Sequence, residues 1–134
     1  MKYNFDINSD AKKFEPYYLK CICAGRAHEG LRANWQKQLR TVQNEIGFEY
    51  IRFHGIFNDE MAIYSEDENG NPKFFWQYFD ELFDFLKEVK LKPIFELSFM
   101  PEAISTKPHT LFGGRAMPAL RRIMTNGHNL LKQP

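Results

Sequence analysis

At 134 residues the chain is one domain or part of one. Its 43% hydrophobic and 26% charged content is ordinary for a globular protein, and a net charge of +1 excludes the basic footprint of a nucleic-acid binder. No apolar run approaches the length of a membrane span, and Met1–Asp6 lacks the apolar stretch of a secretory leader. A cytoplasmic location is therefore expected.

The first element is a short strand over 2–7, followed by a turn at Asn8-Ser9-Asp10. Residues 17–24 read as the first buried strand, and 25–30 as a loop. Cys21 and Cys23 share one face of that strand. Near neighbours on one strand rarely bridge, and no second pair exists to complete a zinc site. They read as buried free thiols, and no metal is expected.

Leu31, Trp35, Leu39, Val42 and Ile46 recur at helical spacing, which predicts a helix over 31–46. Gly47 stands where a helix end favours positive φ. A second strand follows at 49–54. Asn69-Gly70 then predicts a small hairpin, with 62–64 and 73–75 on its flanks. The acidic run within it reads as a solvated turn, because it lacks the spaced ligands of a calcium loop. Phe79, Leu82, Phe83, Leu86 and Val89 stripe a second helix over 76–90, and a third strand is expected at 93–99. The aromatic share is 16%, with 13 Phe. Most of these rings fall on predicted inner faces, which favours a core role over a sugar-binding surface.

Strand, helix, strand, with polar residues closing each strand, is the pattern of a parallel α/β enzyme whose site lies at the carboxyl ends of the strands. Alternation puts Ile51 and Phe53 toward the helices, and Arg52 and His54 on the opposite face. In the third strand it puts Phe95, Leu97 and Phe99 toward the helices, and Ile94, Glu96 and Ser98 inward. A buried Arg and a buried Glu on adjacent strands must pair, so an Arg52–Glu96 ion pair is expected. His54 is the last inward residue of its strand. A contact to a polar ligand and a satisfied core histidine fit that position equally. His28 and His109 fall in loops and carry no signal. No nucleotide-binding glycine loop is present, and no cofactor is expected.

Three segments carry a resemblance: Cys23 to Leu39, Tyr50-Ile51-Arg52-Phe53-His54-Gly55, and Phe95 to Pro101. With Asp67 to Pro72 and Trp76-Gln77-Tyr78 between them, they resemble in order the first units of the glycoside hydrolase family 39 β-xylosidases, over most of residues 1–112. The resemblance implies a (β/α)8 TIM barrel that hydrolyses β-xylosides or xylo-oligosaccharides with retention, using two glutamates. In the family the acid/base lies in a Trp-Asn-Glu-Pro motif after the fourth strand, and the nucleophile follows the seventh strand. This sequence has neither motif, so no catalytic residue is assigned. Glu96 and Glu102 belong to the third-strand region and do not take those roles. His54 matches a family histidine that touches the sugar, so the resemblance makes it a substrate-binding residue.

The resemblance breaks after Phe112-Gly113-Gly114. Codons for Leu120 to Leu130 can be chosen that, read two bases later, give Pro-Lys-Asp-Tyr-Asp-Lys-Trp-Ala-Gln-Leu. The family carries a segment of this kind at this point. The expected organisation is therefore an incomplete barrel of about three βα units over 1–114, and an out-of-frame, poorly ordered tail over 115–134. A complete barrel takes about 250 residues. Such a chain is expected to be inactive alone and to self-associate through its open sheet. The alternatives are a non-catalytic gene remnant, or a small α/β carbohydrate-binding module.

Overall fold

The computed structural model describes residues 2–4, 6 and 13–104. In chain order the elements are β1 (Cys21–Arg26), α1 (Ala33–Glu45), β2 (Tyr50–His54), β3 (Tyr64–Glu66), β4 (Pro72–Phe74), α2 (Gln77–Glu88) and β5 (Lys92–Phe95). Short 3₁₀ turns lie at Tyr17–Leu19, Ala27–Leu31, Asp59–Met61 and Glu102–Ile104. β1, β2 and β5 form one parallel sheet in that order, and β3 and β4 form an antiparallel hairpin. This is the expected arrangement of three strands, two helices and an intervening hairpin. No helix among the described residues is long and apolar enough to cross a membrane.

Ile51 lies across from Ile22 on one side and Pro93 on the other. Ile51 and Phe53 are 0% and 3% exposed, in one cluster with Leu39 of α1 and Leu82, Phe85 and Leu86 of α2. Fully burying such a side chain contributes about 1.5–3 kcal/mol each. The helices meet through an edge-on Trp35–Phe85 contact with ring centres 6.0 Å apart. Arg40 lies over Phe85 at 4.8 Å and forks onto Glu88 with two bonds of 2.9 Å. Phe85 falls outside the predicted stripe of α2, and α1 is what covers it. Gly30 is buried, and a Cβ there would stand 2.5 Å from Leu82 Cδ1, so the packing leaves no room for a side chain.

A run of rings ties the hairpin to the sheet. Tyr64 meets Phe74 edge-on, Phe74 stacks on Trp76, and Trp76 meets Phe79 edge-on. Phe79 stacks on Phe83 at 4.2 Å, and Phe83 stacks on Phe95 of β5 at 5.1 Å. The abundance of Phe is thus used in packing. The hairpin turn is built on Asp67, whose carboxylate accepts from the backbone N–H of Asn69 and Asn71 and from the Asn71 side chain at 2.8–3.0 Å. Gly70 beside it has φ +80°, as does Gly47 after α1 at +78°.

Several boundaries differ from expectation. Residues 2–4 and 6 are not a strand, and the rest of that segment lies outside the described residues. Tyr17 and Tyr18 are 80% and 60% exposed in a 3₁₀ turn rather than buried in β1. β1 instead runs on through Gly25 and Arg26, with a register shift between Cys23 and Arg26. Leu31 closes a 3₁₀ turn and α1 begins at Ala33. β5 stops at Phe95 instead of 99. The tail over 115–134 lies outside the described residues.

Candidate active site at the strand ends

The candidate site lies where β1, β2 and β5 reach their carboxyl ends. Arg26 of β1 is the register partner of His54 in β2, and Glu96 follows the last residue of β5. Arg52 and His54 lie on the face away from the helices, as the alternation of β2 predicts. Arg52 is exposed and His54 half-buried, while Ile51 and Phe53, which alternate with them, are buried. Arg52 and Glu96 form the expected ion pair. The pair is not buried, however: the two side chains are 55% and 29% exposed. No strand faces them among the described residues, so water solvates the charges that a closed barrel would enclose.

The same cause corrects the thiols. Cys23, across from Arg52, is exposed, and Cys21 is half-buried. They are free, as expected, but not buried.

Beyond Phe95 the strand alternation no longer holds. Ser98 Oγ accepts from the Gly55 N–H at 3.2 Å, and the Ser98 carbonyl accepts from the Phe57 N–H at 3.1 Å. These bonds tie the segment after β5 to the turn after β2 and replace the ladder. Phe99, expected on the helix side, meets the His54 ring edge-on with centres 5.7 Å apart. Leu97, also expected there, is 65% exposed. Asp59 links the same two segments, since its carboxylate accepts from the Glu102 N–H at 3.1 Å. Over β1, the Glu29 carboxylate accepts from the Arg26 N–H at 3.0 Å.

At the opposite, amino end of the strands, Glu49 draws together Lys20 at 2.8 Å and Lys92 at 3.5 Å. The Lys20 hydrogen bond holds the Glu49 carboxyl below its ordinary range, and raises the Lys20 ammonium in turn. That end is a charge clip spanning three strands, opposite the end that carries Arg26, His54 and Glu96.

Comparison with known proteins decides the family. The model of glycosyl hydrolases family 39 matches residues 1–118. The chain belongs to this family. It is 39% identical over 112 residues to a β-xylosidase of Caldicellulosiruptor saccharolyticus, covering 84% of this chain and 23% of that protein. It is 35% identical over 104 residues to a β-xylosidase of Geobacillus stearothermophilus, covering 75% and 21%. Among solved structures, a family 39 β-xylosidase from Caulobacter crescentus superposes with a TM-score of 0.69 at 33% identity, covering 80% of this chain and 24% of that one. The family 39 enzyme from Xanthomonas axonopodis pv. citri gives 0.73 at 29% identity, covering 79% and 21%. The chain thus spans between a fifth and a quarter of these relatives. The fold of this family 39 chain is the first part of an α/β barrel, as the resemblance implied.

Phe99, Ser98 and the Asp59 link were not assigned from the sequence. The Ser-Phe-Met-Pro run had the right signal, a polar residue among apolar ones just past a strand. Strand alternation places Phe99 on the helix side, but β5 ends at Phe95, so the pattern hides its contact with His54.

Proposed function

We propose that this chain supplies the first part of a barrel that hydrolyses β-xylosides or xylo-oligosaccharides with retention, and that His54 hydrogen-bonds a hydroxyl of the bound sugar. One observation carries the reading. His54 ends β2 on the face away from the helices, half-buried and with the Phe99 ring against its own. An imidazole placed so can donate to or accept from a sugar hydroxyl. The β-xylosidase relatives support the choice of substrate class.

Retention requires two carboxyl groups roughly 5 Å apart, one a nucleophile and one an acid/base. Near the strand ends, Glu96 is paired with Arg52, and Glu29 accepts from the Arg26 N–H. Asp59 accepts from the Glu102 N–H, and Glu60 has a carboxylate oxygen sealed from solvent. With no Trp-Asn-Glu-Pro motif in this sequence, the catalytic pair is assigned to a part of the barrel beyond these strands. The chain by itself is then a non-catalytic fragment. The test is release of nitrophenol from an aryl β-xyloside. The chain alone is expected to give none. A graft of residues 1–112 in place of the matching segment of the Caldicellulosiruptor relative is expected to turn over. Turnover by the chain alone, or a folded but inactive graft, would overturn the reading.

A further inference from the structure

Three side chains near the carboxyl end of the sheet are left with polar atoms that the protein does not complete. Nδ1 of His28, both amide atoms of Asn58 and Oε2 of Glu60 are sealed from solvent and have no hydrogen-bond partner among the described residues. Asn58 is 1% exposed, the one buried polar residue among the described residues, beside an otherwise apolar core. Buried amides and carboxylates without partners are costly and rare in folded proteins. The Ala27–Leu31 turn that carries His28 packs against the Asp59–Met61 turn that carries Glu60 and follows Asn58, so the three residues belong to one region of the fold.

We infer that His28, Asn58 and Glu60 enclose an internal hydration site that clamps the turn after β2, and that His28 and Asn58 are positioning residues for His54. The chemistry of the donor set selects water. The Asn58 amide nitrogen donates, while its oxygen and the Glu60 carboxylate accept, and the imidazole nitrogen does either according to its tautomer. A water molecule both donates and accepts, and buried waters usually make about three such bonds. A cation would leave the Asn58 donor unmet.

The link to His54 is short. The Asn58 side chain lies over Gly55, close enough that a Cβ there would stand 3.0 Å from the amide nitrogen. Gly55 has φ +73°, and its carbonyl accepts from the Asn58 N–H at 3.2 Å. Gly55 is also the residue that follows His54. Whatever holds the Asn58 amide therefore bears on the path of the chain as it leaves β2, and Ser98 Oγ accepts from the N–H of the same glycine. The clamp does not depend on the sugar reading; its bearing on His54 becomes functional only with it.

A crystal structure of the chain that resolves ordered water tests the site directly. Density within hydrogen-bond reach of both His28 Nδ1 and the Asn58 amide is expected. A dry contact, or a direct bond between these side chains, would overturn the inference. The second test is a urea-unfolding cycle of Asn58→Leu, His28→Phe and the double variant. Each single change is expected to lower the folding equilibrium constant about tenfold. The double is expected to lose little more than the worse single, because both changes disable one shared site. Losses that multiply would contradict a shared site. Positioning is read separately from the imidazole proton resonances of His54 at a temperature where all variants are folded. Asn58→Leu should shift them, and Asn58→Ser, which keeps a donor and an acceptor, should largely restore them. Unmoved resonances in Asn58→Leu remove the positioning role. None of these readouts involves xyloside turnover, so failure of the clamp and failure of the sugar reading are told apart.

Discussion

The two faces of the sheet differ sharply although their residues alternate along the same strands. Ile51 and Phe53 are sealed under α1 and α2, while Arg52 and Cys23 on the other face stand open to water. The covered face is built from neighbours in sequence, because each strand brings the helix that packs on it. The open face is the inner wall of a barrel, and strands across a barrel are far apart in sequence. A short run of βα units can therefore finish its outer layer but not its inner one. Ile94, across from Arg52 on the open face, is 41% exposed and marks the same boundary.

The contrast predicts a graded response to substitution. Ile51→Ala should remove about 2–5 kcal/mol of stability, read as a fall in the urea midpoint, because it opens a cavity in a fully packed layer. A loss under about 1 kcal/mol would mean the covered face is not a packed core. Gly30→Ala sits in the same layer and drives a methyl against Leu82. It should cost about 1–3 kcal/mol by overpacking. On the open face Arg52→Met breaks the Glu96 pair, yet the change should stay within about 1 kcal/mol, because water screens a pair this exposed. A larger loss would show that the inner face is closed by some contact not described above.

The smallest effect concerns the hairpin. Hydrogen bonds from Asn71 first, and from the Asn69 N–H after it, hold the Asp67 carboxyl below its ordinary range. A carboxyl with a lowered folded value adds stability above its unfolded value, and loses it as the pH falls through the folded one. The hairpin should therefore stay formed through neutral and mildly acidic pH, and loosen below the usual carboxylate range. Amide shifts of Asn69 and Asn71, followed by NMR as the pH is lowered, read this directly. In Asn71→Ala the Asp67 titration should move up toward its ordinary range.

What was legible in the sequence follows the same division. The periods of α1 and α2, the Asn69-Gly70 turn, the parallel order of the strands and the phase of β2 all depend on residues close in the chain. Each was read from pattern. The Arg52–Glu96 pair was read too, since adjacency of β2 and β5 follows from the βαβ pattern. Its expected burial fails, because burial depends on what lies across the barrel. Phe99 was misplaced because β5 ends at Phe95, where Ser98 bonds to the β2 turn instead of continuing a ladder. Phe85 was missed because its cover comes from another helix. His28 and Asn58 gave no signal, since a polar residue in a loop looks solvated until two turns close over it.

The account rests on His54 facing a bound sugar from the open face of the sheet. The most direct measurement is the kcat/KM of the 1–112 graft for an aryl β-xyloside, with and without His54→Ala. Loss of one hydrogen bond to the reacting sugar predicts a fall of about a hundredfold with the fold intact by circular dichroism. An unchanged kcat/KM in a folded His54→Ala graft would contradict it.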